Sequence, residues 1–82
     1  MAKLVEILAR ELKEWSEDTV VIAQDKFGIT MPWDGARIYF SDGFWYSSDG
    51  SSSIIRTTFN PMMELSDDYH AYVTRAQWEA ER

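Results

Sequence analysis

The chain has 82 residues, 45% of them hydrophobic and 15% aromatic, with 14 acidic side chains against 8 basic ones and no cysteine. That is the size of one domain, residues 1–82, with enough apolar mass for a core and a thin stability margin. It excludes a disulfide framework, a thiolate metal site and a disordered chain, and a net charge of -6 argues against a general phosphate-binding surface.

The opening, MAKLVEILARELKEW, carries charges at Lys3, Glu6, Arg10 and Glu11. It holds no apolar run of signal-peptide or membrane-span length, so a cytoplasmic protein is expected. Leu4, Val5, Ile7, Leu8, Leu12 and Trp15 recur at spacings of three and four, which predicts an amphipathic helix over residues 3–15. Glu6, Arg10 and Glu14 are four apart on the opposite side and can pair weakly.

Ser16 to Asp18 turn the chain, and the β-branched run Thr19 to Ala23 predicts a strand. Asp25 to Gly28 reads as a turn, and Ile29 to Met31 as a short return strand halted by Pro32. After a turn at Trp33-Asp34-Gly35, strands at Arg37 to Ser41 and Phe44 to Ser47 flank Asp42-Gly43, a pair suited to a tight hairpin turn with positive φ at both positions. Ser48 to Ser51 forms the next turn, and Ser53 to Phe59 a further strand. Asn60-Pro61 breaks it, Met62 to Leu65 reads as a helical turn, and Ser66 to Asp68 as a polar turn. Tyr69 to Val73 is a last short strand. Thr74 and Gln77 form a capping box ahead of a helix over Gln77 to Arg82. The fold class is α+β: an N-terminal helix packed on a four- to five-stranded antiparallel meander sheet, with a short C-terminal helix.

If both Asp-Gly turns are two residues long, Tyr39 pairs with Tyr46, Phe40 with Trp45, Trp45 with Ile54 and Phe44 with Ile55. One face then carries Ile38, Phe40, Trp45 and Ile54, and the other Tyr39, Phe44, Tyr46 and Ile55. Small antiparallel sheets keep one face polar, so the second apolar face is either covered or a contact surface. Tyr and Phe are residue types enriched in interfaces. Tyr39, Phe44 and Tyr46 are therefore candidate partner-binding residues, with Trp33 a further candidate anchor for which a core position is the preferred reading. Met62-Met63 offers soft side chains to partner or core alike. A register slip of one residue would exchange the faces and return these aromatics to the core.

The chemistry of a catalytic site is missing. Asp42 and Asp49 are too sparse for a calcium loop and suit turns instead. His70 is the single histidine and stands beside acidic turn residues, which fits a surface position better than a metal site. No nucleophile elbow and no Gly-rich phosphate loop occurs, and the carboxylate pairs lie in turns open to solvent. The expectation is a non-enzyme without cofactor or metal that binds a protein, either a host factor or a second copy as a homodimer, and contacts neither membrane nor nucleic acid directly. One rival is an acidic mimic of nucleic acid built from Glu11, Glu14, Glu17, Asp18, Glu64, Asp67 and Asp68. Another is a small-ligand binding module that uses the aromatic face as a stacking platform.

The stretch from Asp68 to Glu79, DYHAYVTRAQWE, resembles the ending of many small proteins from lambdoid phages and prophages. The opening is similar too: Leu4, Leu8, Glu11, Leu12 and Trp15 fit L-x-x-x-L-x-x-E-L-x-x-W, followed by Val20, Ala23, Gln24 and Asp25 in V-x-x-A-Q-D. Tyr72 stands where those proteins usually have Val or Ala. The resemblance covers the two ends of the chain. It implies an uncharacterised phage or prophage accessory protein of the bacterial cytoplasm and brings no site residues with it.

Overall fold

Residues 2–82 are described by a computed structural model. In chain order the elements are α1 (Leu4–Glu11), β1 (Val21–Gln24), β2 (Thr30–Trp33), β3 (Ile38–Ser41), β4 (Phe44–Ser47), β5 (Val73–Thr74) and α2 (Arg75–Glu81). The fold is α+β with two helices, but the strands form two antiparallel sheets rather than one meander: a three-stranded sheet in the order β2-β1-β5, and the β3-β4 hairpin.

The start of α1 is held both from outside the helix and by the helix's own third residue, since a helix N-terminus leaves its first amides without partners. The Asp68 carboxylate accepts from the Leu4 N–H at 2.7 Å, and Glu6 accepts from the Lys3 N–H at 2.8 Å. The helix ends at Glu11, earlier than its apolar spacing predicts, because Leu12 adopts an extended conformation. The apolar stripe survives the break. Leu12 and Trp15 are both buried, and the extended chain lets the Trp15 indole donate to the Thr19 carbonyl at 2.8 Å. At the other end Thr74 and Gln77 form the expected capping box, and α2 begins directly after Thr74, two residues before the expected start.

All four residues of β1 are buried, because the strand is covered on both faces. Ile22 packs with Leu4, Leu8, Leu12, Trp15, Val73 and Trp78 on the helical side. Val21 and Ala23 point the other way, to Trp33 and Ile38, with Trp45 and Tyr72 against them. The result is three layers: helices, central sheet, hairpin. Trp78 is clamped in the helical layer, its ring 5.6 Å from Trp15 and its indole donating to the Leu8 carbonyl at 3.1 Å.

Pro32 does not end the second strand; it lies within β2, opposite Ile22. Residues 30 and 32 direct their backbone groups away from β1, so the missing N–H of proline costs no ladder bond. Its carbonyl accepts from the Ile55 N–H at 3.0 Å, and the Thr30 N–H donates to the Pro61 carbonyl at 2.8 Å. The chain from Ser53 to Met63 therefore runs along the outer edge of β2, touching it through the bridges Trp33–Ile54 and Ile29–Met62. This corrects two expectations. Ser53 to Phe59 is not a strand beside β4, and Met62 to Leu65 is not a helical turn. Side chains redirect the chain after the hairpin: the Ser47 hydroxyl accepts from the N–H groups of Gly50 and Ser52, and Asp34 accepts from the Ser53 N–H. The turn is thus longer than two residues, and the pairs Trp45–Ile54 and Phe44–Ile55 do not form. The last strand is likewise shorter than expected, with residues 67–70 in a turn before β5.

Gln24 is completely buried, and all its amide valences are used. Its Nε2 donates to the Thr30 hydroxyl (3.1 Å) and the Glu64 carbonyl (2.8 Å), while its Oε1 accepts from the Ser66 N–H (2.9 Å) and hydroxyl (2.8 Å). Substitution Gln24→Leu leaves several buried partners unpaired and is expected to cost about 3 kcal/mol in urea unfolding. Gly28 has φ +84° and would place a Cβ 2.7 Å from the Met63 carbonyl oxygen; Gly50 has φ +77° with open space around it. Gly50→Ala is expected to cost about 1 kcal/mol, the left-handed penalty alone, and Gly28→Ala at least about 2 kcal/mol by the same measurement.

Candidate functional site

The hairpin forms as its turn residues dictate. Asp42 and Gly43 have φ of 53° and 92°, and the pairs Ser41–Phe44, Phe40–Trp45 and Tyr39–Tyr46 follow. Alternation then separates the aromatics. On the inner face Trp45 donates to the Gln24 carbonyl at 2.9 Å and to the Tyr69 carbonyl at 3.3 Å, and Phe40 packs edge-on against both Trp45 and Tyr69. On the outer face Tyr39 and Tyr46 lie side by side, ring centres 5.7 Å apart, and are 48% and 45% exposed. Phe44, on the same face, is half-buried. Its ring is 5.8 Å from Phe27, and Lys26 Nζ sits 5.2 Å from the Phe44 ring centre and 5.4 Å from that of Phe27.

Three of the four candidate contact residues are thus brought together. Trp33 is not among them: it is buried in the layer formed with Val21, Ala23 and Ile38, so it supports the surface from beneath. The structure adds residues that sequence reasoning missed. Phe27 is 63% exposed at the tip of the β1–β2 turn. Ile29, Ile54 and Met62 are exposed close by, along the edge where residues 53–63 meet β2. A cleft of about 250 Å³ opens between this edge and the hairpin, lined by Ala23, Asp25, Ile29, Met31, Trp33, Phe44, Trp45 and Ile54. Phe27 did carry a signal, since a large apolar residue in a tight polar turn has no local reason to be there.

The seven carboxylates of the mimic reading fall into three groups along α1. Asp68 is half-buried as the cap of α1, and the Asp67 N–H donates to the Ala2 carbonyl beside it. Glu14, Glu17 and Asp18 lie beyond the opposite end of the helix, about 12 Å away by its rise per residue. Glu11 and Glu64 both bind Arg10 at 3.1 Å, which holds the guanidinium pKa above its ordinary value, with Glu64 the larger cause.

Among the described residues no group of three or more His, Asp or Glu side chains is placed to hold a metal ion, and His70 is exposed beside Tyr69. Nor does any described helix have the length and apolarity to cross a membrane. Comparison with models of protein families, with curated proteins and with solved structures finds no match to this chain.

Asp49 serves its turn. It accepts from the Ser51 hydroxyl and N–H, and it pairs with Arg37 at 3.0 Å. The Ser51 hydroxyl, then the Ser51 amide, then Arg37 lower its pKa from 3.8 to about 2. Because the folded value lies below the unfolded one, its support for the turn is complete above about pH 4 and is lost as pH falls through the folded value. A carboxyl-carbon NMR titration is expected to place the Asp49 midpoint near 2, and Ser51→Ala to move it back toward 3.8.

Proposed function

We propose that this chain is a small accessory protein of a phage or prophage that works in the bacterial cytoplasm as a non-enzymatic protein-binding module, using the outer face of the β3-β4 hairpin. The observation that carries this reading is the pair Tyr39 and Tyr46. They stack on each other with nearly half their surface in water, on a hairpin whose other face already supplies the core. Aromatic rings with polar tips suit a contact that is wet when free and dry when bound. Phe27 and Phe44 extend the same surface, and Lys26 over both rings gives it a positive edge on a chain of net charge -6. The resemblance at both ends of the sequence supports the phage setting. The partner is a host factor or a second copy.

The small-ligand reading has one observation in its favour, the apolar cleft beside Phe44 and Trp45. Its volume is at the low end for ligand sites, nearer to one anchoring side chain than to a cofactor. The cleft therefore fits best as part of the same protein-binding surface.

The test compares the wild type with the double substitution Tyr39→Ser, Tyr46→Ser in capture from bacterial lysate, washed at low and high salt, with the mass of the purified protein read by light scattering. The wild type is expected to keep a discrete partner, foreign or its own copy, at high salt. The double variant is expected to bind it at least roughly tenfold more weakly with an unchanged circular dichroism spectrum. Capture indifferent to the two substitutions, or lost at high salt by both proteins, overturns the reading.

A further inference from the structure

The central sheet turns one face to the hairpin, and the hairpin covers only part of it. Val21 of β1 stands opposite Trp33 of β2, and Ala23 opposite Met31. The Asp25 N–H, bonded to the Ile29 carbonyl at 3.0 Å, extends that register by one more pair. Paired residues share a face and alternate residues return to it. Val21, Ala23 and Asp25 therefore lie on the hairpin side, together with Trp33, Met31 and Ile29. Val21 and Ala23 are buried there, whereas Met31 is half-buried and Ile29 exposed. This uncovered strip is the floor of the cleft of about 250 Å³, with Phe44 and Trp45 on the hairpin side and the exposed Ile54 on the other.

Asp25 is the one ionisable side chain lining this otherwise apolar cleft. Its Oδ1 accepts from the N–H groups of Phe27 and Ile29 at 2.8 and 3.1 Å, which shapes the β1–β2 turn. Its Oδ2 has no hydrogen-bonding partner, and the carboxylate no ion pair, among the described residues. The neighbouring Lys26 sets its ammonium over the rings of Phe27 and Phe44 instead. An apolar side chain filling the cleft would take water from the carboxylate and return nothing. A cation on a long apolar stem satisfies both parts of the site. We propose that the cleft receives an arginine side chain of a partner protein, with its methylenes against Ile29, Met31 and Ile54 and its guanidinium on Asp25 Oδ2. Arginine suits the site better than lysine because its planar head also stacks on aromatic faces, which Phe44 and Trp45 supply. A net charge of -6 draws a basic partner at longer range. The inference gives the proposed protein-binding surface the chemistry of its partner and rests on that reading.

The test uses capped tripeptides, acetyl-Gly-Xaa-Gly-amide, with arginine, its uncharged isostere citrulline, or leucine at the centre. Each is titrated at millimolar concentration into the isotopically labelled protein and followed by amide chemical shifts. The arginine peptide is expected to give saturable shifts centred on Asp25, Ile29 and Ile54, and to bind at least roughly fivefold more tightly than the other two. Asp25→Asn keeps the oxygen on which the turn depends and removes the charge; it is expected to erase that preference. Ile54→Glu, at an exposed position on the rim, adds a second carboxylate and is expected to strengthen arginine binding while leaving citrulline unchanged. Circular dichroism checks that each variant folds. Shifts that do not saturate at these residues, citrulline or leucine binding as tightly as arginine, or a preference that survives Asp25→Asn overturns the inference. The double variant Tyr39→Ser, Tyr46→Ser is expected to bind the arginine peptide as the wild type does, so failure of the cleft and failure of the tyrosine surface are read separately.

Discussion

A glutamine side chain cut off from water has two donors and two acceptor sites to satisfy, and Gln24 finds all four partners inside the protein. Those partners come from β2 and from the irregular segment around Glu64 to Ser66, while its own carbonyl receives the Trp45 indole from the hairpin. Apolar packing alone would tolerate many relative placements of these pieces. A fully used amide tolerates one, because any shift leaves a buried polar atom unpaired. The segment after Pro61 has no regular structure of its own and owes its position to this side chain.

The second constraint is that β1 is buried on both faces. The helices meet Ile22 on one side, and the inner face of the hairpin meets Val21 and Ala23 on the other. Once the hairpin is spent as a cover for β1, its outer face is met only at Phe44, by Lys26 and Phe27 of the β1–β2 turn, among the described residues. Its outer face is exposed as a geometric consequence of layer number: a chain of 82 residues builds three layers, and the outermost carries aromatics on both sides.

What the sequence made legible followed from local rules. Asp42-Gly43 fixed the hairpin register to the residue, and with it the separation of Tyr39 and Tyr46 from Phe40 and Trp45. Thr74 and Gln77 located α2, and the stripe from Leu4 to Trp15 named the helical core although the helix itself ends at Glu11. What escaped was decided by tertiary partners. Pro32 is harmless in a strand only because its nitrogen faces away from β1, a fact of register and not of composition. The path of residues 53–63 depends on hydrogen bonds from Ser47 and Asp34, which no periodicity announces. Ile29 and Met62 join the exposed surface through a bridge between distant segments, so neither stands out where it occurs in the chain.

The packing of α1 on α2 also shapes how the molecule comes to exist. The Leu8 carbonyl and the Trp78 indole are separated by 70 positions, and β5 pairs with β1 across more than half the chain. Closing such loops costs chain entropy before any burial repays it, so assembly of the helical layer is slow for a protein of this size. The hairpin needs only its own turn and forms on the order of microseconds. The turn that sets the tyrosine pair is therefore local, and its closure does not wait on the helical core. The two layers thus differ in how far along the chain their contacts reach: the hairpin is built from neighbours, the helical layer from opposite ends.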